Sequence, residues 1–151
     1  MRALQGLLHK LRRTDSRLPN ILVRVSVGAI FLSEGIQKFL LPNELGAGRF
    51  TTIGLPWPDV LAALVATCEI TCGTLVLLGA FVRIAVLPLI VVMCVALIST
   101  KLPILLHNGF WKMAHEARTD FAMLLSLLFL LLSGAGRWSV DATRTEVRQV
   151  Q

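Results

Sequence analysis

His115-Glu116-Ala117-Arg118-Thr119-Asp120 runs directly into residues 121–132, twelve positions that are apolar but for Ser126. Twelve residues make about 18 Å of helix at ~1.5 Å per residue, and a bilayer core asks for about 20 residues. A membrane span here must therefore take in some of the charged residues before Phe121. The other direction offers nothing cheaper, because Ser133-Gly134-Ala135-Gly136-Arg137 breaks the helix and ends in a charge. Ionisable side chains inside a bilayer are costly and mark function by default. The fold that follows is a polytopic membrane bundle with charges drawn into its helices.

The rest of the chain supports this reading. Of its 151 residues 55% are hydrophobic, and the mean hydropathy is +0.72, well outside the range of an ordinary soluble domain. Four segments qualify as spans, at about 20–41, 59–79, 84–106 and 116–135. The expected fold is all-α: one transmembrane domain of four helices over 19–142, with a polar tail at 143–151 and no separate soluble domain. The net charge of +6 does not point to nucleic acid, because the basic residues flank hydrophobic spans. Residues 1–18 place Leu4, Leu7, Leu8 and Leu11 on one helical stripe, opposite Arg2, Lys10, Arg12, Arg13 and Arg17. That pattern fits a short amphipathic helix lying on the membrane surface. A cleaved signal peptide fits less well, since the apolar run from Ile21 meets Glu34 and Lys38 rather than a small-residue cleavage site, so the N-terminus is expected to be retained.

With four spans, both termini share a side. That side collects Arg2, Lys10, Arg12, Arg13, Arg17, Arg83, Arg137, Arg144 and Arg148, against Arg49 and Lys112 on the other. Nine basic residues to two predicts cytoplasmic N- and C-termini in a multi-pass protein of the bacterial inner membrane.

Several charges lie within the spans. Glu34 and Lys38 are four residues apart in the favoured order for a helical ion pair. Lys38 can reach the outer headgroups, but Glu34 lies roughly 10 Å inside the outer end of its helix and a carboxylate reaches less far. Arg24 is close enough to the inner end to be read as snorkelling. Glu69 sits near the middle of the second span, a depth that requires it to be protonated, paired or facing water. Lys101 lies at the level of Glu34, and His107, Asn108, Trp111, Lys112 and His115 crowd the expected second outer loop.

Glu34, Lys38, Glu69, Lys101, His115, Glu116, Arg118 and Asp120 are together the candidate pocket, open to the outer side and floored by Glu69. Acids and bases nearly balance in this set, which suits mutual pairing. On the fourth helix Glu116 and Asp120 share a face, while Arg118 points the other way with His115. Arg118 is therefore expected to find its acceptor on another helix, with Glu34 or Glu69 the candidates. Cys68 and Cys72 are one turn apart, a spacing that orients poorly for a disulfide and suits a helix contact. No metal is expected. Nor is haem, because His9, His107 and His115 lie away from the span centres.

A set of ordered motifs resembles the DoxX family of small four-helix membrane proteins. It comprises Arg24 with Gly28-x-x-Phe31, Gly35-Ile36-Gln37-Lys38, Gly48-Arg49-Phe50, Ile53-Gly54-Leu55-Pro56, Glu69-x-x-x-Gly73, Leu77-Leu78-Gly79, Arg83 and Gly134-Ala135-Gly136-Arg137-Trp138-Ser139-Val140-Asp141. The resemblance covers roughly residues 20–142 and implies a membrane redox association. The family's namesakes are linked to a thiosulfate:quinone oxidoreductase and other members to thiol and superoxide defence complexes. The chain has no Cys-x-x-Cys, so disulfide exchange is not supported. The expectation is a membrane subunit of a quinone- or thiol-linked system, accessory or catalytic, that binds a small lipophilic molecule. Quinone is the candidate cofactor and a redox protein the candidate partner. The bilayer is a partner in any case, and a homo-oligomer is compatible with the pattern. Two other classes stay open: a proton-coupled transporter, and a structural or assembly protein whose charges only fix helix packing.

Overall fold

The computed structural model describes residues 19–136 and 138–141. The expected amphipathic segment 1–18 and the tail 143–151 lie outside the described residues. Among these residues every regular element is helical: α1 (Pro19–Leu40), α2 (Ala47–Thr52), α3 (Pro58–Leu78), α4 (Val82–Ala96), α5 (Leu102–Asn108) and α6 (Phe110–Ser133). A π-helical turn, Leu97–Lys101, joins α4 to α5 without a break. Two helices are long and apolar enough to cross a membrane, Pro58–Leu78 and the composite Val82–Asn108. The helices α1 and α6, at 22 and 24 residues, match them in length but carry the charges.

Helix ends follow local chemistry. Pro19 and Pro58 open α1 and α3, where the missing N–H costs nothing. Gly79, in the left-handed region at φ +72°, closes α3, and the Ala80 N–H returns to the Leu75 carbonyl at 2.9 Å. The connection expected as the second outer loop is shorter than the sequence suggests. Gly109, at φ +83°, is the whole of it, and α6 begins at Phe110 rather than near 116. The polar residues Lys112, His115 and Glu116 decorate a helix without interrupting it; glycine alone breaks the chain there. The stretch between α1 and α3, by contrast, folds back as α2, which carries the buried Phe50 and packs against α3.

The four long helices close a ring: α1 lies on α3, α3 on α4, α4 on α6 and α6 on α1. Neighbours run antiparallel, as the approach of Gly28 to Leu77 and of Gly35 to Ala66 shows for α1 and α3. Those glycines set the spacing. A Cβ on Gly28 would lie 2.8 Å from the Leu77 nitrogen, and one on Gly73 2.8 Å from the Leu32 nitrogen. Backbone meets backbone here, the close packing that small residues permit between membrane helices. Val27, Phe31, Val76, Val86, Leu89, Leu127 and Leu130 fill the centre.

A clasp holds the end of the ring where α1 begins. Arg24 was read as snorkelling, yet it is buried and donates from Nη1 to the Ala135 carbonyl at 2.8 Å and from Nη2 to the Trp138 carbonyl at 2.7 Å. Arg83 donates to the Leu132 carbonyl at 3.1 Å, and Asn20 reaches the Gly134 carbonyl at 3.4 Å. Asp141 accepts from the Phe81 and Val82 N–H groups at 2.8 and 3.2 Å, capping α4 from a distance of 59 residues in the chain. Phe81 itself holds a left-handed φ of +50°, an unusual state for a bulky residue, and the Asp141 bond secures it.

Candidate functional site

The candidate residues separate into two ion-paired groups, one of three residues and one of two, and an exposed set. Near the Leu40 end of α1, Lys38 Nζ lies 2.6 Å from Glu69 Oε2 of α3 and 3.6 Å from Glu34 Oε2 one turn back on its own helix. The glycine contacts explain why. With α1 and α3 this close, a lysine stem can cross the seam and put its ammonium on a carboxylate at the centre of α3. Glu69 is 4% exposed, and the pairing answers the question its depth raised. A charge at that level needs a counter-charge and a hydrogen bond, and Lys38 supplies both.

The second pair joins Lys101 Nζ to Asp120 Oδ2 at 3.1 Å, half-buried between the π turn and α6. The turn brings Lys101 out of the regular α register. Pro103, four residues after Ser99, has no N–H to offer the Ser99 carbonyl, so the helix changes its bonding pattern there at little cost. Thr100 Oγ1 donates to the Ala96 carbonyl at 2.6 Å within the same segment.

Arg118 does not meet the expectation of a carboxylate partner on another helix. It is exposed, with Nη1 2.6 Å from His115 Nε2 and 3.2 Å from the His115 carbonyl, on its own helix one turn back. Of its two expected acceptors, Glu69 is taken by Lys38 at 2.6 Å, and Glu34 also lies beside Lys38, at 3.6 Å. Glu116 and His115 are exposed on α6. The structure thus brings Glu34, Lys38 and Glu69 together and joins Lys101 with Asp120. His115 and Arg118 stand as a local pair on the helix surface.

Cys68 and Cys72 have their sulfurs 4.0 Å apart, and all three cysteines are free thiols. Cys72 packs against the central apolar cluster, while Cys94 is exposed on α4. The residue that sequence reasoning undervalued is Arg24. Its signal was present, because Arg24 and the 134–141 stretch stood as separate pieces of one motif set; their contact required the folded ring.

Comparison with known proteins identifies the family. The DoxX family profile matches residues 20–102, which takes in α1 through the π turn and includes Arg24, Glu34, Lys38, Glu69 and Lys101. An uncharacterized membrane protein of Mycobacterium tuberculosis (strain ATCC 25618 / H37Rv) is 54% identical over 127 residues, covering 80% of this chain and 78% of the relative. No solved structure matches the chain. On the family match and on that relative, the chain is a member of the DoxX family and a membrane protein.

Proposed function

We propose that the protein is a four-span membrane subunit of a redox system that binds a small lipophilic, quinone-like molecule, with Lys38 and Glu69 as the polar groups of its site. In this reading α1 and α6 cross the bilayer beside the two apolar helices, and their charges are sheltered by pairing. The termini lie on the cytoplasmic side of the plasma membrane, so Leu40, Gly109 and the two ion pairs face outward. Trp57, Phe110 and Trp111 are exposed at that end and Phe81 and Trp138 at the other, in keeping with aromatic belts at two interfaces.

The observation that carries the reading is the buried Lys38–Glu69 pair at 2.6 Å in an otherwise apolar seam. A quinone site needs an apolar slot, a hydrogen-bond donor and a group that handles a proton. Lys38 is such a donor and Glu69 such a proton carrier. The test is mass spectrometry of lipophilic molecules co-purified with the protein, with its ultraviolet–visible spectrum. A quinone enriched over the bulk lipid extract, and lost from Glu69→Leu, supports the reading. Bulk lipid alone, from parent and variant alike, overturns it.

A proton-coupled carrier is the second reading, favoured by the position of Lys101–Asp120 at a π-helical turn. Interrupted helices with paired charges are where carriers place their coupling sites. Proteoliposomes loaded with a pH-sensitive dye distinguish the two: a carrier moves protons across the bilayer with its substrate, and a redox subunit does not.

A further inference from the structure

Three ionisable side chains along the α1–α3 seam are graded in exposure. The side chain of Glu34 is 47% exposed, that of Lys38 11% and that of Glu69 5%. The lysine nitrogen stands between the carboxylates, 3.6 Å from the exposed one and 2.6 Å from the buried one. One ammonium therefore serves two acids, and the trio carries a net charge of −1 when all are ionised. The Lys101–Asp120 pair carries none. A single proton added to the trio relieves that surplus negative charge.

We propose that Glu34, Lys38 and Glu69 form a proton line that connects the exposed face of α1 at Glu34 with the buried carboxylate of α3. This deepens the reading above and rests on Glu69 as the proton carrier of that site. In the transfer, an N–H bond of the Lys38 ammonium breaks as an O–H bond forms on Glu69. The amine left behind takes the proton of a Glu34 carboxylic acid, which becomes carboxylate. Lys38 ends as the ammonium it began as; one proton has moved from Glu34 to Glu69, and no electrons have been exchanged. Glu34 is the port and Lys38 the relay.

Few other groups bear on Glu69 from the helices packed on α3. Glu34 and Lys38 are the charged residues of α1 at this level, and Arg24 is held in the clasp at the far end. Helix α2 brings Arg49, which is exposed, and α4 has Arg83 at its opposite end and no other charged residue along its length. On α3 itself Cys68 is adjacent. The route through Lys38 is thus the one that the neighbouring charges provide.

The experiment is time-resolved infrared spectroscopy of the protein in nanodiscs after a pH jump, with no added ligand. The Glu69 carboxylic C=O stretch is identified by its loss in Glu69→Gln. Glu34→Gln should slow the response of that band by at least ~100-fold, the low end of what a positioned acid–base group contributes, and Glu34→Asp should restore it. Lys38→Arg keeps the charge and the pairing, so the fold is retained, but a guanidinium does not surrender its proton in a protein. It should slow the band as much as Glu34→Gln does. Parental rates in both variants overturn the proton line, as does a Glu69 band that never appears between pH 4 and 9. The measurement uses no quinone, so failure of the lipophilic-ligand reading leaves its outcome standing. Success of that reading likewise does not rescue a failed line.

Discussion

Arg24 and Glu69, the two buried charges among the described residues, are held in different ways. Arg24 is satisfied by backbone carbonyls, with its Nε buried and lacking an acceptor among the described residues, so the two Nη bonds carry its accommodation. Arg24→Ala strands the Ala135 carbonyl, and a buried carbonyl left unpaired costs about 1–3 kcal/mol. Thermal melting in detergent should show that loss, with Arg24→Lys intermediate because one ammonium cannot match the two-pronged geometry. Glu69 is satisfied by a side chain, which makes its variants diverge. Glu69→Leu takes from Lys38 its 2.6 Å partner, leaving only Glu34 at 3.6 Å, and should cost roughly 3–5 kcal/mol, whereas Glu69→Gln keeps shape and an acceptor and should melt near the parent. Equal melting of the two variants would make the pair incidental. Depth alone marked Glu69 in the sequence, since a carboxylate about ten residues from either end of a span needs an explanation. Its partner was not legible there: Lys38 looked equally able to reach headgroups, and only the glycine-lined seam decides between them.

At the scale of elements, the α1–α3 contact sets the positions of the rest. Gly28→Ala and Gly73→Ala each push a methyl into the backbone of the facing helix, and overpacking of this kind costs about 1–3 kcal/mol. The exposed Ala29→Leu on the same helix should be neutral within error in the same detergent melts. A larger effect of Gly73→Ala on the Lys38–Glu69 infrared signature than on melting would show that helix spacing tunes the pair. The helices themselves were readable from hydrophobic runs and proline positions, and α3 departs from expectation by a residue at each end. Two features were not. The start of α6 at Phe110 was hidden because charged and aromatic residues resemble a loop by composition, while Gly109 alone has the conformation that breaks the helix. The π turn was hidden because a change from i+4 to i+5 bonding leaves no periodic mark, and Pro103 is a hint only in hindsight.

For the whole molecule, the ring and its clasp make two demands. The proposed topology puts Arg83 and residues 134–141 in the cytoplasm and Lys112 outside. With Cys68, Cys72 and Cys94 replaced by alanine, Lys112→Cys should react with an impermeant thiol reagent on intact cells and Arg83→Cys only after lysis. The reverse pattern would invert the bundle and turn both ion pairs to the cytoplasm. The second demand concerns closure. A chain stopped after Ser133 retains every helix of the ring but loses the acceptors of Arg24 and the Asp141 cap, so it should melt well below a chain stopped after residue 142. Matching stability would mean that the apolar ring is self-sufficient. Family motifs made both ends of the clasp visible in the sequence, as isolated pieces 111 residues apart. Their union is a property of closure, and no local pattern contains it.

The same separation has a consequence in time. A ribosome adds about 5–20 residues per second, so Arg24 waits roughly 6–20 s between its own synthesis and that of Ala135. Throughout that interval a guanidinium destined for burial has no acceptor in the nascent chain. The emerging hairpin must keep its basic end in headgroups or in the grip of insertion machinery until the last helix arrives. Birth order thus makes residues 134–141 a checkpoint: chains that stall before them should carry an unlatched α1.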